Sequence, residues 1–144
     1  MINFSINQPN PGKAYTKRPG AYAIMLGNQN LLAIIKTSKG YFLPGGGIEK
    51  DESEEACIIR ECLEEIGIKV QILEKICSGN YFFHSPGRKM YIENIGHFYH
   101  CKIEKVLDTA SEADHELVWL SSDEAIKLLY LANQKQAIKI FLEK

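Results

Sequence analysis

The sequence predicts a single mixed α/β domain, and three observations carry that expectation. The chain has 144 residues, the size of one compact domain and too few for two. Its patterns run strands, helix, strands, two helices, with no repeat, low-complexity tract or linker between them. A composition of 45% hydrophobic and 24% charged residues suits a core of ordinary size with a polar shell, so no covalent staple is required.

Each element follows from local chemistry. Residues 1–19 hold three prolines and little periodicity, and read as an irregular N-terminal arm. Ala21–Leu26 (AYAIML) and Leu31–Lys36 (LLAIIK) are β-rich runs either side of Gly27-Asn28-Gln29-Asn30, the pattern of a hairpin. Tyr41-Phe42-Leu43 is a short strand stopped by Pro44, after which Gly45-Gly46-Gly47 frees the backbone. A helix is expected from about Ser53 to Ile66, with N-cap oxygens at Asp51 and Ser53 and Gly67 as its stop. Lys69–Cys77 and Lys89–Lys105 read as strands separated by the Ser85-Pro86-Gly87 turn, and Glu116–Leu120 as another. Ser121 with Glu124 forms a capping box for a helix to Tyr130, and Asn133 with Gln136 repeats the device for a last helix.

Composition also excludes functions. A net charge of −1 gives no global field to recruit nucleic acid or an acidic membrane, so neither is expected as a partner. The most apolar stretch, Ala21 to Ile35, is broken by its polar turn and falls short of a membrane span. The first fifteen residues lack the basic start and apolar run of a signal peptide. Cys57, Cys62, Cys77 and Cys101 show neither CxxC nor zinc-finger spacing; they read as buried thiols in a reducing, cytoplasmic setting.

The acid is concentrated. Residues 45–68, GGGIEKDESEEACIIRECLEEIGI, carry eight acids against two bases, a net −6 that leaves +5 for the rest. At ~100° per residue, Glu61, Glu64 and Glu65 share one side of the helix, and Ala56, Ile59, Leu63 and Ile66 the other. The expectation is that the apolar stripe docks while the carboxylates converge outward. Like charges at such spacing repel by a few tenths of a kcal/mol each. A hard divalent cation offsets that repulsion, and magnesium prefers this oxygen chemistry; a solvated acidic face is the alternative.

Gly46, five residues, Glu52, seven residues, then Arg60-Glu61-Cys62-Leu63-Glu64-Glu65-Ile66-Gly67-Ile68 resembles the Nudix box of the Nudix hydrolases at every defined position. Cys62 stands where an aliphatic residue is usual. The resemblance implies a Nudix-type α/β/α sandwich with a mixed sheet. It also implies Mg2+ or Mn2+ held by Glu61, Glu64 and Glu65, with the Gly45 carbonyl as a further ligand. Arg60 resembles the partner that orients those carboxylates, and Glu52 a support of the loop. The water-activating base varies within the family: Glu61 is one candidate, an acid outside the box another.

Outside the box, Glu112 and Glu116 lie where many family members carry an extra ligand or base. His115 beside them reads as a loop histidine, and Trp119 as core. Arg18, Lys39, Arg88 and Lys89 are candidates for substrate phosphates, Arg18 and Arg88 foremost, since arginine binds bidentately. Tyr81, Phe83 and Tyr91 are candidates to stack on a base. The implied activity is metal-assisted hydrolysis of a nucleoside diphosphate linked to another moiety, or of a related small diphosphate. The alternative is a non-catalytic Nudix module that senses nucleotide or RNA. A homodimer is the default assembly to expect.

Overall fold

The computed structural model describes residues 2–107 and 113–144. Two β-sheets lie between helices. The larger has the strand order β1 (Ile2–Ile6), β6 (Ile68–Ser85), β7 (Met90–Val106), β2 (Thr16–Met25) and β5 (Gly45–Gly47). The smaller has β4 (Gly40–Phe42), β3 (Leu32–Thr37) and β8 (Glu116–Leu120). β1–β6 and β2–β7 are parallel and the remaining pairs antiparallel, so the larger sheet is mixed.

β2 shows why the core has two halves. From Gly20 to Met25 every residue is buried, so both faces of the strand are covered. Successive side chains point to opposite faces. Ala21, Ala23 and Met25 pack with Cys57, Ile58 and Cys62 of helix α1 (Glu54–Ile66). Tyr22 and Ile24 pack with Ala125 and Leu129, at the end of α2 (Ser122–Leu128), and with Ile138 of α3 (Ala132–Leu142). Helix α1 thus covers one face and α2 with α3 the other: an α/β/α sandwich.

The structure corrects four sequence expectations. The N-terminal arm is irregular only between its strands, because Ile2–Ile6 pairs with Cys77–Tyr81 and Thr16 already begins β2. The two runs around Gly27 are not a hairpin. Both edges of β2 are taken, by β7 and β5, so β3 leaves for the smaller sheet, and among the described residues the two runs share the isolated Leu26–Leu32 bridge and the Gly27 N–H bond to the Leu31 carbonyl. The last helix starts at Ala132 with no side-chain cap, since Asn133 is fully buried and spent elsewhere. Trp119 is half exposed, its ring lying against the backbone of Gly27.

The remaining signals hold. Ser53 caps α1 by accepting from the Ala56 N–H, and Gly67 closes it in the left-handed conformation. Ser121 and Glu124 make the reciprocal capping box of α2. All four cysteines are free and buried. Burial pushes the Cys57 and Cys77 thiols up to about 11 and Cys101 to about 12, so they stay protonated and pack as small hydrophobes. No helix among the described residues is long and apolar enough to cross a membrane.

The N-terminus of α1 is tied to the sheet by charge. Lys75 Nζ lies 2.8 Å from Glu54 Oε1, the Tyr99 hydroxyl donates to the same oxygen at 2.6 Å, and His97 Nδ1 is 3.5 Å from Glu54 Oε2. Burial works to raise the Glu54 carboxyl, but the bonds from Lys75 and Tyr99 outweigh it and hold the group below its ordinary value. This anchor fixes the rotation of α1.

Candidate functional site

That rotation decides which side chains of α1 meet the glycine strand. The inward face is Cys57, Ile58, Cys62 and Glu65, whereas Ala56 and Ile59 are exposed. The docking stripe expected from Ala56, Ile59, Leu63 and Ile66 is therefore turned by roughly half a turn from the observed face, and of the four only Ile66 packs against the core cluster. The sequence pattern places the acids away from the core. Two of them instead turn toward β5, where backbone and an arginine receive them.

Glu65 is 7% exposed, and its Oε1 accepts from the Gly45 N–H at 2.9 Å. Its Oε2 lies 3.3 Å from His115 Nδ1. Glu61 sits over Gly46 so closely that a Cβ built there would come within 2.6 Å of the carboxyl carbon. Glycine at position 46 thus lets the Glu61 carboxylate reach the strand backbone.

Arg60 organises the rest. Its Nε and Nη2 donate to Glu52 at 2.7 and 2.9 Å, a bidentate grip, and Nη2 also donates to the Gly47 carbonyl at 3.2 Å. Its Nη1 reaches Glu61 at 2.8 Å and Glu64 at 3.3 Å. The Arg60 hydrogen bonds lower the Glu52 carboxyl to about 2, and the same bonds raise the guanidinium further above its ordinary value. Glu52 also accepts from the Glu49 N–H, closing the loop before α1. Arg60 thus ties Glu52, Glu61, Glu64 and the Gly47 carbonyl together.

Glu64 is half exposed, facing solvent beside Arg60. Among the described residues, no three His, Cys, Asp or Glu side chains are gathered into a ready-made metal cage. The available donors are still all oxygen: the carboxylates of Glu61, Glu64 and Glu65 on α1, and the carbonyl of Gly45 on the facing strand. The Glu61 carboxylate rests against Gly46, where a methyl group would displace it. Such a donor set fits a hard divalent cation rather than zinc.

Beyond the helix, Glu116 and His115 line one recess, but only His115 also borders the cleft at Glu65. Glu116 is exposed and lines a shallow recess with Lys36, Thr37 and Ser38. It is His115 that meets Glu65. Asp114 fixes this segment by accepting from Ser38 Oγ at 2.8 Å, which carries His115 inward. Sequence reasoning missed the contact because nothing local distinguishes a loop histidine that folds back; its signal was only its place just before β8. Glu112 lies outside the described residues.

Two clefts that share part of their lining lie on this side of the molecule, one of them bordered by Glu65. One, of about 420 Å3, is bordered by Tyr22, Gly45, Gly46, Glu65, His115 and Gln134. The other, of about 490 Å3, includes Arg18, Phe83, Asn94 and Tyr130. Lys39, Phe42, Arg88 and Leu131 border both. The candidate phosphate ligands Arg18, Lys39 and Arg88 and the candidate stacking ring Phe83 are therefore brought together, although they lie far apart in sequence. Tyr81 stacks on Phe83, with ring centroids 4.6 Å apart, and Tyr91 borders a separate recess with Tyr15 and His84.

The model of the NUDIX domain matches residues 16–141. The chain is 30% identical over 115 residues to "Nudix hydrolase 21, chloroplastic" of Arabidopsis thaliana, covering 79% of this chain and 56% of that protein. It is 33% identical over 95 residues to a "MutT-like protein" of Streptomyces ambofaciens, covering 65% and 56%. The chain spans little more than half the length of these relatives. Among solved structures, a NUDIX hydrolase from Nitrosomonas europaea superposes with a TM-score of 0.72 at 15% identity, over 89% of this chain and 90% of that one. A C. elegans Ap4A hydrolase gives 0.68 at 20% identity, over 88% and 96%. At these identities the likeness is one of fold.

Proposed function

The chain belongs to the NUDIX domain family, and we propose that it hydrolyses a diphosphate linkage in a nucleoside diphosphate joined to another moiety, or in a related small diphosphate. The observation that carries this reading is the pair of helix carboxylates, Glu61 and Glu65, brought against a glycine strand, with Glu65 bordering a cleft that Lys39 and Arg88 also border. Relatives named as hydrolases, and a structural neighbour named for Ap4A, are consistent with it.

Glu61, Glu64 and Glu65 with the Gly45 carbonyl would hold Mg2+ or Mn2+, and Arg60 orients the first two carboxylates. When bound, the metal supplies charge neutralisation for the diphosphate and lowers the pKa of a coordinated water. Arg18, Lys39 and Arg88 bind the phosphate oxygens, Arg as a planar fork and Lys as a point charge. Phe42, Phe83 and Tyr130 provide apolar wall for the remainder of the substrate. A carboxylate takes the proton of the attacking water, and Glu61 is our assignment; Glu112 and Glu116 are retained as outer candidates for ligand or base. His115 holds Glu65 in place. The four protonated, buried thiols accord with a reducing, cytoplasmic setting, and a homodimer is the assembly we propose.

The deciding experiment is turnover on a panel of nucleotide sugars, dinucleoside polyphosphates and simple diphosphates, with and without magnesium. Chelation should abolish release of monophosphate, and magnesium or manganese should restore it. Full activity after exhaustive chelation removes the metal from the reading. Nucleotide binding with no turnover on any substrate would favour a non-catalytic sensor instead.

A further inference from the structure

At the outer edge of the larger sheet lies β1, and among the described residues it pairs with β6 alone. Its other edge therefore presents backbone N–H and C=O groups with no strand beside them. Proteins commonly blunt such an edge with a charge, a proline or a bulge, because it is a template for another strand. Ile2-Asn3-Phe4-Ser5-Ile6 has none of these: it is uncharged, and its register with β6 runs unbroken from Ile2–Cys77 to Ile6–Tyr81. The other terminal strands differ. β5 is only three residues long, the Tyr41 carbonyl of β4 already accepts from the Tyr130 N–H, and β8 opens on the charged Glu116.

The chain that follows β1 leaves its edge open. At Asn7 the backbone turns with a φ of +63°, and the Asn7 amide donates to the Phe82 carbonyl. The loop then folds over the β6–β7 hairpin, where the Tyr15 ring meets Phe82 and Tyr91.

The side chains decide what fits the edge. Alternation puts Ile2, Phe4 and Ile6 on one face and Asn3 and Ser5 on the other. Phe4 packs on the core with its ring over Gly79, whereas Ile2 is 53% exposed and Asn3 and Ser5 are exposed. In either direction the strand runs apolar, polar, aromatic, polar, apolar, so its pattern is symmetric about Phe4. Two such strands paired antiparallel about that residue set Ile2 against Ile6 of the other copy, Asn3 against Ser5, and Phe4 against Phe4. Like meets like at every position, no charge is buried, and one surface serves both copies, as a two-fold axis requires. A shift of one residue would set isoleucine against asparagine and lose the match.

Resting on the homodimer proposed above, we propose that β1 pairs antiparallel with β1 of a second copy about a two-fold axis at Phe4, joining two five-stranded sheets into one. A five-residue pairing is small beside the standard interface of about 1,600 Å2, so the dimer should form reversibly with protein concentration.

Sedimentation equilibrium over a range of concentrations tests this on the parent and on two double variants at exposed positions. Asn3→Lys/Ser5→Lys sets ammonium groups directly opposite one another at both ends of the pairing, and should weaken the dimer by about ten-fold or more. Asn3→Lys/Ser5→Glu sets ammonium opposite carboxylate instead, and should hold the dimer within about three-fold of the parent. A dimer unweakened in the first variant, or weakened equally in both, overturns the pairing and leaves the homodimer to another surface. A parent monomeric at every concentration overturns both. If the first variant fails to fold, amide hydrogen exchange of the parent decides. Exchange within residues 2–6 should slow several-fold as concentration rises, and exchange independent of concentration overturns the pairing. None of these outcomes touches the hydrolase reading, which turnover on the diphosphate panel tests separately.

Discussion

A methyl group added at Gly45 and one added at its neighbour Gly46 meet different obstacles. At Gly45 the backbone has φ of +140°, and a Cβ would lie 2.2 Å from the Ala21 carbonyl oxygen. Neither strain nor clash can relax, because the obstacle is the main chain of a buried strand. Gly45→Ala should therefore destabilise the fold by about 3 kcal/mol or more, read from the denaturant midpoint. At Gly46 the φ is ordinary, and the obstacle is the tip of the Glu61 side chain. Gly46→Ala should leave the midpoint within about 1 kcal/mol while displacing that carboxylate. Turnover should fall by about two orders of magnitude if Glu61 belongs to the reacting centre. Undiminished turnover in a folded Gly46→Ala variant would remove Glu61 from the machinery. The box spacing made Gly46 visible in the sequence; the need for glycine at Gly45 was not visible, because it arises from a strand some twenty residues away.

At the scale of the element, α1 shows what a sequence pattern can and cannot convey. Its ends were legible, since Ser53 and Gly67 act through local hydrogen bonds and dihedrals. Its rotation was not. Ala56, Ile59 and Leu63 form as good an apolar stripe as Cys57, Ile58 and Cys62, and periodicity alone cannot choose between them. The choice is made by long-range partners: Lys75, His97 and Tyr99 on Glu54, and the Gly45 N–H on Glu65. Ile58→Asp should accordingly unfold the protein or lower its midpoint drastically, because a charge enters the closed face of the helix. Ala56→Asp should be nearly neutral, and a large loss there would restore the rejected face. The Arg60–Glu52 pair makes a pH prediction of its own. With the Glu52 carboxyl lowered to about 2 in the fold, against about 4.3 unfolded, its contribution is complete above that higher value. It is lost as pH falls toward 2. Urea midpoints between pH 5 and 2.5 should fall more steeply in the parent than in Glu52→Gln; parallel curves would show that the pair contributes nothing.

For the whole molecule, the metal question becomes one of linkage between binding and folding. A cation that binds only the folded chain stabilises it by RT ln(1 + [L]/Kd), or about 2.7 kcal/mol at a hundred-fold excess over Kd. For a protein of this size that raises Tm by roughly 5–10 °C. The measurement needs no substrate, so it tests the metal site apart from the choice of diphosphate. Magnesium titrated into the parent should raise Tm toward a plateau, and the rise should shrink in Glu64→Gln and Glu65→Gln at equal magnesium. Without metal the two variants should differ from one another. Glu64 is half exposed, so its replacement should leave Tm unchanged. Glu65 is buried, and glutamine can keep the oxygen that accepts from Gly45 but exchanges the other, beside His115, for an amide. A modest metal-free loss is expected there. If magnesium raised Tm equally in the parent and in the double variant, the cation would be binding elsewhere, and the carboxylates of α1 would be supports of the glycine strand rather than ligands.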